Sequence, residues 1–129
     1  MQPTSHEFSI MSEHYLNDIM LGKKKYEGRV NTEKYRKMHV GDTLKLYEHE
    51  AGWGIVCRIT SLTPFSSFKD MLETLGVLNL LPQLEPLSQS VSREALLDEA
   101  IRVYTAFPGS ERVHSFGCVA IGVIFLQQY

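Results

Sequence analysis

The sequence predicts an α+β fold, a small mixed and mostly antiparallel β-barrel with helices packed on its outside. Three observations predict it. Five segments have strand length and an alternating or continuous apolar pattern. The helical segments start at serines, carry apolar residues three and four apart, and stop at glycines. Too few strands are joined through helices to make a parallel sheet. The 129 residues are enough for one domain spanning 1–129.

The elements follow in order. His6–Ile10 is a short strand. Ser12 caps a helix whose apolar face is Tyr15, Leu16, Ile19 and Met20, and Gly22 ends it at the position after the cap. Lys23–Val30 reads as a strand, with Tyr26, Gly28 and Val30 on one parity and Lys25, Glu27 and Arg29 on the other. Asn31 and Thr32 open a helical turn through Met38, and Val40-Gly41-Asp42 is a turn. Thr43–Tyr47 and Gly54–Leu62 are strands, the second broken by Pro64. Ser66 or Ser67 caps a helix carrying Phe68, Met71, Leu72 and Leu75, which stops at Gly76. Val77–Leu81 is short and apolar, and Gln83–Ser90 is loop-like. Ser92 starts a capped helix with Leu96, Ala100 and Tyr104 in its stripe, ended by Phe107-Pro108-Gly109-Ser110. Val113–Leu126 is the last strand, bent at Gly117 or Gly122.

Composition excludes several classes. Hydrophobic residues are 43% and charged residues 22%, as in ordinary globular proteins. A net charge of −2 excludes a chain-wide polycation of the histone kind. The charge is nevertheless uneven. Seven basic residues (Lys23, Lys24, Lys25, Arg29, Lys34, Arg36 and Lys37) face only Glu27 and Glu33 within residues 23–37, a local charge of +5. That segment suits an anionic ligand, or alternatively guards a sheet edge with lysines. Cys57 and Cys118 lie in apolar runs and read as buried, reduced thiols. No secretory signal opens the chain, and the apolar Gly117–Leu126 run falls short of the roughly 20 residues of a membrane helix. These features point to an intracellular, cytoplasmic protein with no membrane partner, the nucleus remaining open. No oligomeric state follows from the pattern.

Residues 22–29 read G-K-K-K-Y-E-G-R, which matches G-x-K-x-x-E-x-R at Gly22, Lys24, Glu27 and Arg29. Further matches run along the chain: Val40-Gly41-Asp42, Ser67-Phe68 with Met71-Leu72-Glu73, Leu81-Pro82, Glu94 to Tyr104, and Phe116-Gly117 with Cys118 to Ile121. His6 also fits. In this ordered series the chain resembles the ASCH family, whose fold is similar to PUA (pseudouridine synthase and archaeosine transglycosylase) domains. Cys118 departs from the family's usual valine. The resemblance implies a PUA-like barrel and a cleft lined by the motif positions. It implies RNA or a modified nucleoside as partner. It also leaves open a small hydrolase, either a ribonuclease or an amidohydrolase acting on N4-acetylcytidine.

The residues themselves carry that chemistry in outline. Lys24 and Arg29 can clamp phosphate or polarise a carbonyl, and Glu27 can move a proton or accept from a base edge. Gly22 lets backbone approach a ligand, or simply ends its helix. Lys24 has the opposite strand parity to Glu27 and Arg29, so the three converge only if Lys24 lies in the entering loop or a bulge intervenes. The ligand-binding set is therefore Gly22, Lys24, Lys25, Glu27, Arg29 and Trp53, the last as a stacking ring. Lys24 and Glu27 are the catalytic pair if the protein is an enzyme. The amidohydrolase type resembles this chain at Lys24 but carries threonine where Glu27 stands, and Asp70 or Glu73 would replace its acidic partner. Lys24→Ala is expected to weaken binding and barely change the melting temperature. A protein-interaction module with an acidic partner is the third reading. The five histidines show no metal-ligand spacing, and no Walker, G-x-S-x-G or dinucleotide motif is present, so neither metal nor cofactor is expected.

Overall fold

The computed structural model describes residues 2–129. Five strands form one sheet: β1 (Ser5–Ser9), β2 (Tyr26–Val30), β3 (Thr43–Tyr47), β4 (Gly54–Phe65) and β5 (Cys118–Gln128). Their spatial order is β1-β3-β4-β5-β2. All neighbours pair antiparallel except β1 and β3, which run parallel. Among the described residues the sheet curls into a half-barrel with seven α-helical segments around it. These are α1 (Glu13–Met20), α2 (Glu33–Arg36), α3 (Phe68–Leu75), α4 (Val77–Leu80), α5 (Glu85–Ser88), α6 (Arg93–Thr105) and α7 (Val113–Phe116).

Period-two alternation decides which residues the curl encloses. Leu44, Leu46, Ile55, Cys57 and Ile59 point inward and are buried, while Lys45 and Arg58 between them, and Thr60 after them, are exposed. Tyr15, Leu16 and Ile19 of α1 join this core. Phe68, Met71 and Leu72 of α3 and Ala100 and Tyr104 of α6 add a second layer to it. Ser67 and Ser92 cap their helices, accepting from the amides of Asp70 and Ala95. Both cysteines are free and buried. Among the described residues no helix is long and apolar enough to cross a membrane.

Four local expectations change. Strand β2 begins at Tyr26, leaving Lys23 to Lys25 in the entering loop. Strand β4 continues through Pro64 to Phe65. Its pairing with β3 ends at Arg58, so Pro64 lies beyond the doubly paired stretch, where a missing N–H is tolerated. Residues 82–88 are helical turns rather than loop, because Pro82 and Pro86 occupy first-turn positions that need no N–H. Val113–Phe116 is a helical turn closed by the Gly117 amide on the Val113 carbonyl. Gly117, at φ 67°, then turns the chain into β5, and a register shift in β4 lies opposite Gly122.

Asp42 ties the start of the chain to this sheet. Its carboxylate accepts from the Thr4 amide at 3.1 Å and the His39 amide at 3.0 Å, and lies 2.8 Å from His6 Nε2. The His6 bond, with the two amides, lowers the Asp42 pKa from 3.8 to about 2. The unfolded chain therefore binds this proton more readily than the folded one, and the stabilisation is complete above the unfolded value. It is lost as pH falls from 3.8 toward about 2. The melting temperature of the native chain is expected to drop across that window. Asp42→Asn should melt lower at neutral pH and show a shallower acid dependence. Parallel melting curves for the two proteins would contradict this role.

Candidate functional site

A cavity of about 190 Å³ opens beside β2, one of the two edge strands. Its walls come from four directions: Lys24 and Tyr15, the β2 residues Glu27 to Val30, Phe68 with Tyr104, and the 107–112 turn with Ser110 and Arg112. Tyr35 and Ile10 stand at the remaining side.

The approach to Lys24 begins with Gly22. Its φ of 76° lets the Gly22 amide bond the Ile19 carbonyl and the Lys23 amide bond the Asp18 carbonyl. This pair of bonds closes α1 and reverses the chain. Lys24 then turns inward, 2% exposed, and its Nζ donates to the Leu80 carbonyl at 2.5 Å. The ammonium also lies 5.0 Å from the Tyr15 ring centre. Burial lowers the Lys24 pKa, the Glu27 charge opposes that fall, and Arg29 reinforces it. The entering-loop condition for convergence is thus met, and Lys24, Glu27 and Arg29 line one cavity.

Glu27 is 6% exposed. Its Oε1 is 3.8 Å from Arg29 Nε, whereas its Oε2 has no hydrogen-bond partner. Tyr104 Oη is also buried without a partner. Burial first, and then the Glu27 charge, push the Tyr104 pKa far above 10, so the phenol keeps its proton. The Tyr104 ring is held by Phe68, stacked at 5.1 Å, and by Phe107, edge-on at 5.7 Å. Arg29 spends its donors on the protein. Nη2 bonds the Ser9 carbonyl at 2.8 Å, Nη1 reaches Tyr35 Oη at 3.5 Å, and the guanidinium lies 4.3 Å from the Phe8 ring centre. It bridges the two edges of the sheet and orients Glu27.

Gly28 contributes backbone. Val123 donates to the Lys25 carbonyl and Asn31 to the Gly117 carbonyl. Odd-numbered β2 residues thus face β5, and antiparallel alternation turns the Gly28 N–H and C=O toward the open edge.

Other expected residues lie elsewhere. Gly22 sets the direction of Lys24 without lining the cavity, and Lys25 is exposed, its amide on the Asn79 carbonyl. Trp53 sits in the β3–β4 loop, half-buried, with Nε1 on Glu13 Oε1 at 2.8 Å. It is not at the cavity, because its ring packs on the core near the start of α1. The Asp70 amide donates to the Ser67 cap of α3, its carboxylate accepts from the Ser66 hydroxyl, and Glu73 pairs with Lys69 on the surface. Neither lines the cavity. His6 serves Asp42. Because Lys24 is buried, its removal is expected to cost stability, in contrast to the expectation from the sequence. Tyr104, Gly28 and Ser110 are additions that the sequence pattern assigns to the core, to a strand parity and to a helix stop, and Arg112 is an addition that it assigns to nothing.

Arg112 is the exposed basic residue of the cavity lining, and Lys34 and Arg36 flank the lining residue Tyr35 in the sequence. Lys34 lies over the Phe8 and Tyr35 rings, at 5.2 and 5.9 Å. Arg36, beside it on α2, reaches the Phe116 carbonyl of α7 at 3.5 Å, and Arg112 is exposed on the cavity wall.

Comparison with known proteins agrees with this architecture. Hypothetical protein PH0355, known from a crystal structure, is 31% identical with a TM-score of 0.76, covering 95% of this chain and 100% of that one. Protein PF0455 from Pyrococcus furiosus, known from a solution NMR structure, is 28% identical with a TM-score of 0.69, covering 98% and 99%. Among curated proteins none matches the chain. The ASCH domain matches residues 10–122, a span that holds the whole cavity wall from Ile10 to Arg112, and the chain belongs to the ASCH domain family.

Proposed function

We propose that the chain, as one domain over residues 1–129, binds single-stranded RNA or a modified nucleoside with one base inside the β2 cavity. Family membership supports an RNA-related role. The observation that carries the reading is the pair of buried, unpartnered groups, Glu27 Oε2 and Tyr104 Oη, beside Lys24 in one cavity. Buried polar atoms are normally satisfied, so two unpartnered ones on one cavity support a polar ligand there. At about 190 Å³ the cavity is below the ~300 Å³ where pockets for drug-sized ligands begin. It suits one heterocycle, with the sugar and phosphates left outside. There Lys34, Arg36 and Arg112 supply positive charge to an otherwise acidic protein.

The test is retardation of labelled single-stranded RNA by metal-free protein at several salt concentrations. Binding should weaken with salt, and Lys34→Gln with Arg36→Gln should flatten the log–log slope by roughly 1–2 without changing thermal stability. An unaltered slope removes these residues from the phosphate path. RNA that is neither shifted nor cut, with no nucleoside bound, overturns the proposal.

A hydrolase is the second reading, because Lys24 and Glu27 do line the same cavity. It requires shortened RNA or deacylated N4-acetylcytidine with the native chain. That turnover must disappear in both Lys24→Ala and Glu27→Gln.

A further inference from the structure

The geometry points to the backbone of Gly28 as the edge that the ligand pairs with: its N–H and C=O take a planar group carrying an acceptor beside a donor, as the pairing edge of a nucleobase does. This rests on the proposed base-binding reading and names the contact that holds the base.

The observation is an unpartnered main-chain pair inside the cavity. Gly28 lines the cavity and is buried, and a glycine has only main chain to show it. The ladder to β5 uses the odd-numbered residues, so Gly28, opposite Ala120, turns both groups away from it. Among the described residues no turn or loop bond takes either group, and the hydroxyl against this residue, Tyr104 Oη, has no partner. Buried main-chain groups are almost always paired, so a donor and an acceptor left free on one residue form an edge that a ligand can complete.

The cavity passes around this edge. Glu27 and Arg29 share one face of β2, with Glu27 Oε1 3.8 Å from Arg29 Nε. On the other face a Cβ at position 28 would lie 2.7 Å from Tyr104 Oη. Residues from both faces line the same cavity, and the Gly28 main chain stands where they meet. The absence of a side chain lets a ligand approach that backbone closely.

The free edge is also short. Before it, the Lys25 amide bonds the Asn79 carbonyl and α4 packs on β2. After it, the Val30 carbonyl accepts from the Thr32 amide. A peptide adding as a strand needs several successive free groups, whereas a compact planar ring needs one pair. A phosphodiester offers acceptors alone and would leave the Gly28 carbonyl unpaired. Adenine and cytosine offer an amine beside a ring nitrogen, and uracil and guanine a ring N–H beside a carbonyl. The pairing therefore selects a base over sugar or phosphate, without selecting among the four.

The experiment follows the Gly28 amide by NMR in the isotope-labelled whole chain, free and with single-stranded RNA, uridine, adenosine, N3-methyluridine and N6,N6-dimethyladenosine. In the free chain it should exchange with solvent at least about tenfold faster than the Glu27 and Arg29 amides, which face β5. Bound RNA, uridine or adenosine should move its proton downfield and slow that exchange at least about tenfold. The two methylated nucleosides lack the paired donor and acceptor, and should bind at least about tenfold more weakly than their parents. Slow exchange at Gly28 in the free chain overturns the assignment. RNA that binds without altering the Gly28 amide, or a methylated nucleoside that binds as tightly as its parent, overturns it while base binding stands. Failure of the RNA and of both parent nucleosides to bind instead sinks the base-binding reading beneath it.

Discussion

Lys24→Met is expected to abolish RNA retardation and to lower the melting temperature by roughly 10 °C, a loss of about 2–3 kcal/mol. Both effects come from one position because Lys24 is buried. Its Nζ is the hydrogen-bond partner of the Leu80 carbonyl, which would be left without that donor. The same substitution removes a cation whose charge interacts with Glu27, leaving that buried carboxylate with Arg29 alone at 3.8 Å. Methionine fills most of the lysine stem, so the loss reports the ammonium rather than a void. The second arm of the experiment separates the terms. In Lys24→Met/Glu27→Gln the uncompensated charge is gone, so the double variant should be more stable than additivity allows, by about 1 kcal/mol. It should still fail to bind. Additive melting shifts would show that Lys24 and Glu27 do not act on each other, and the cavity would lose its central pair.

The family motif and most elements were legible in the residues, and the site was legible only in part. Thr43–Tyr47 alternates cleanly and forms the strand its pattern predicts. The Lys23-Lys24-Lys25 run has no such signal. Its parity with β2 says nothing, because the chain is still in the loop that Gly22 starts. Tyr104 follows Ala100 at helical spacing, so a core role explains it fully from the sequence. Only the packing of α6 against β2 discloses that its hydroxyl lacks a partner. Trp53 is the reverse case. A tryptophan between glycines reads either as a stacking ring or as a packed one, and Glu13 on α1, 40 residues earlier, holds it against the core. Phe107 to Ser110 reads as a helix stop, and it is one, yet the same turn places Ser110 and Arg112 on the cavity wall. Pairings between distant segments decide each of these cases, and local pattern does not carry them.

Gly28→Ala should cost about 1–3 kcal/mol and weaken ligand binding, although alanine is a small residue and Gly28 has ordinary strand geometry. The reason is the seat of Tyr104. A Cβ at position 28 would lie 2.7 Å from Tyr104 Oη and 2.9 Å from both Tyr104 Cε1 and Met71 Cε. The Met71 methyl can swing aside, but the phenol ring is stacked on Phe68 and pinned by Phe107. Its hydroxyl would be forced toward the cavity and away from the position it holds beside β2. Tyr104→Phe makes the informative contrast. It deletes a buried hydroxyl that has no partner, so stability should hold or rise, whereas nucleoside affinity should fall. Combining Gly28→Ala with Tyr104→Phe relieves the shortest contact and should recover part of the lost stability without recovering binding. An unchanged melting temperature in Gly28→Ala would mean that Tyr104 is not seated against β2. If instead Tyr104→Phe lost stability and kept its affinity, the hydroxyl would be a structural group rather than one kept free for a ligand.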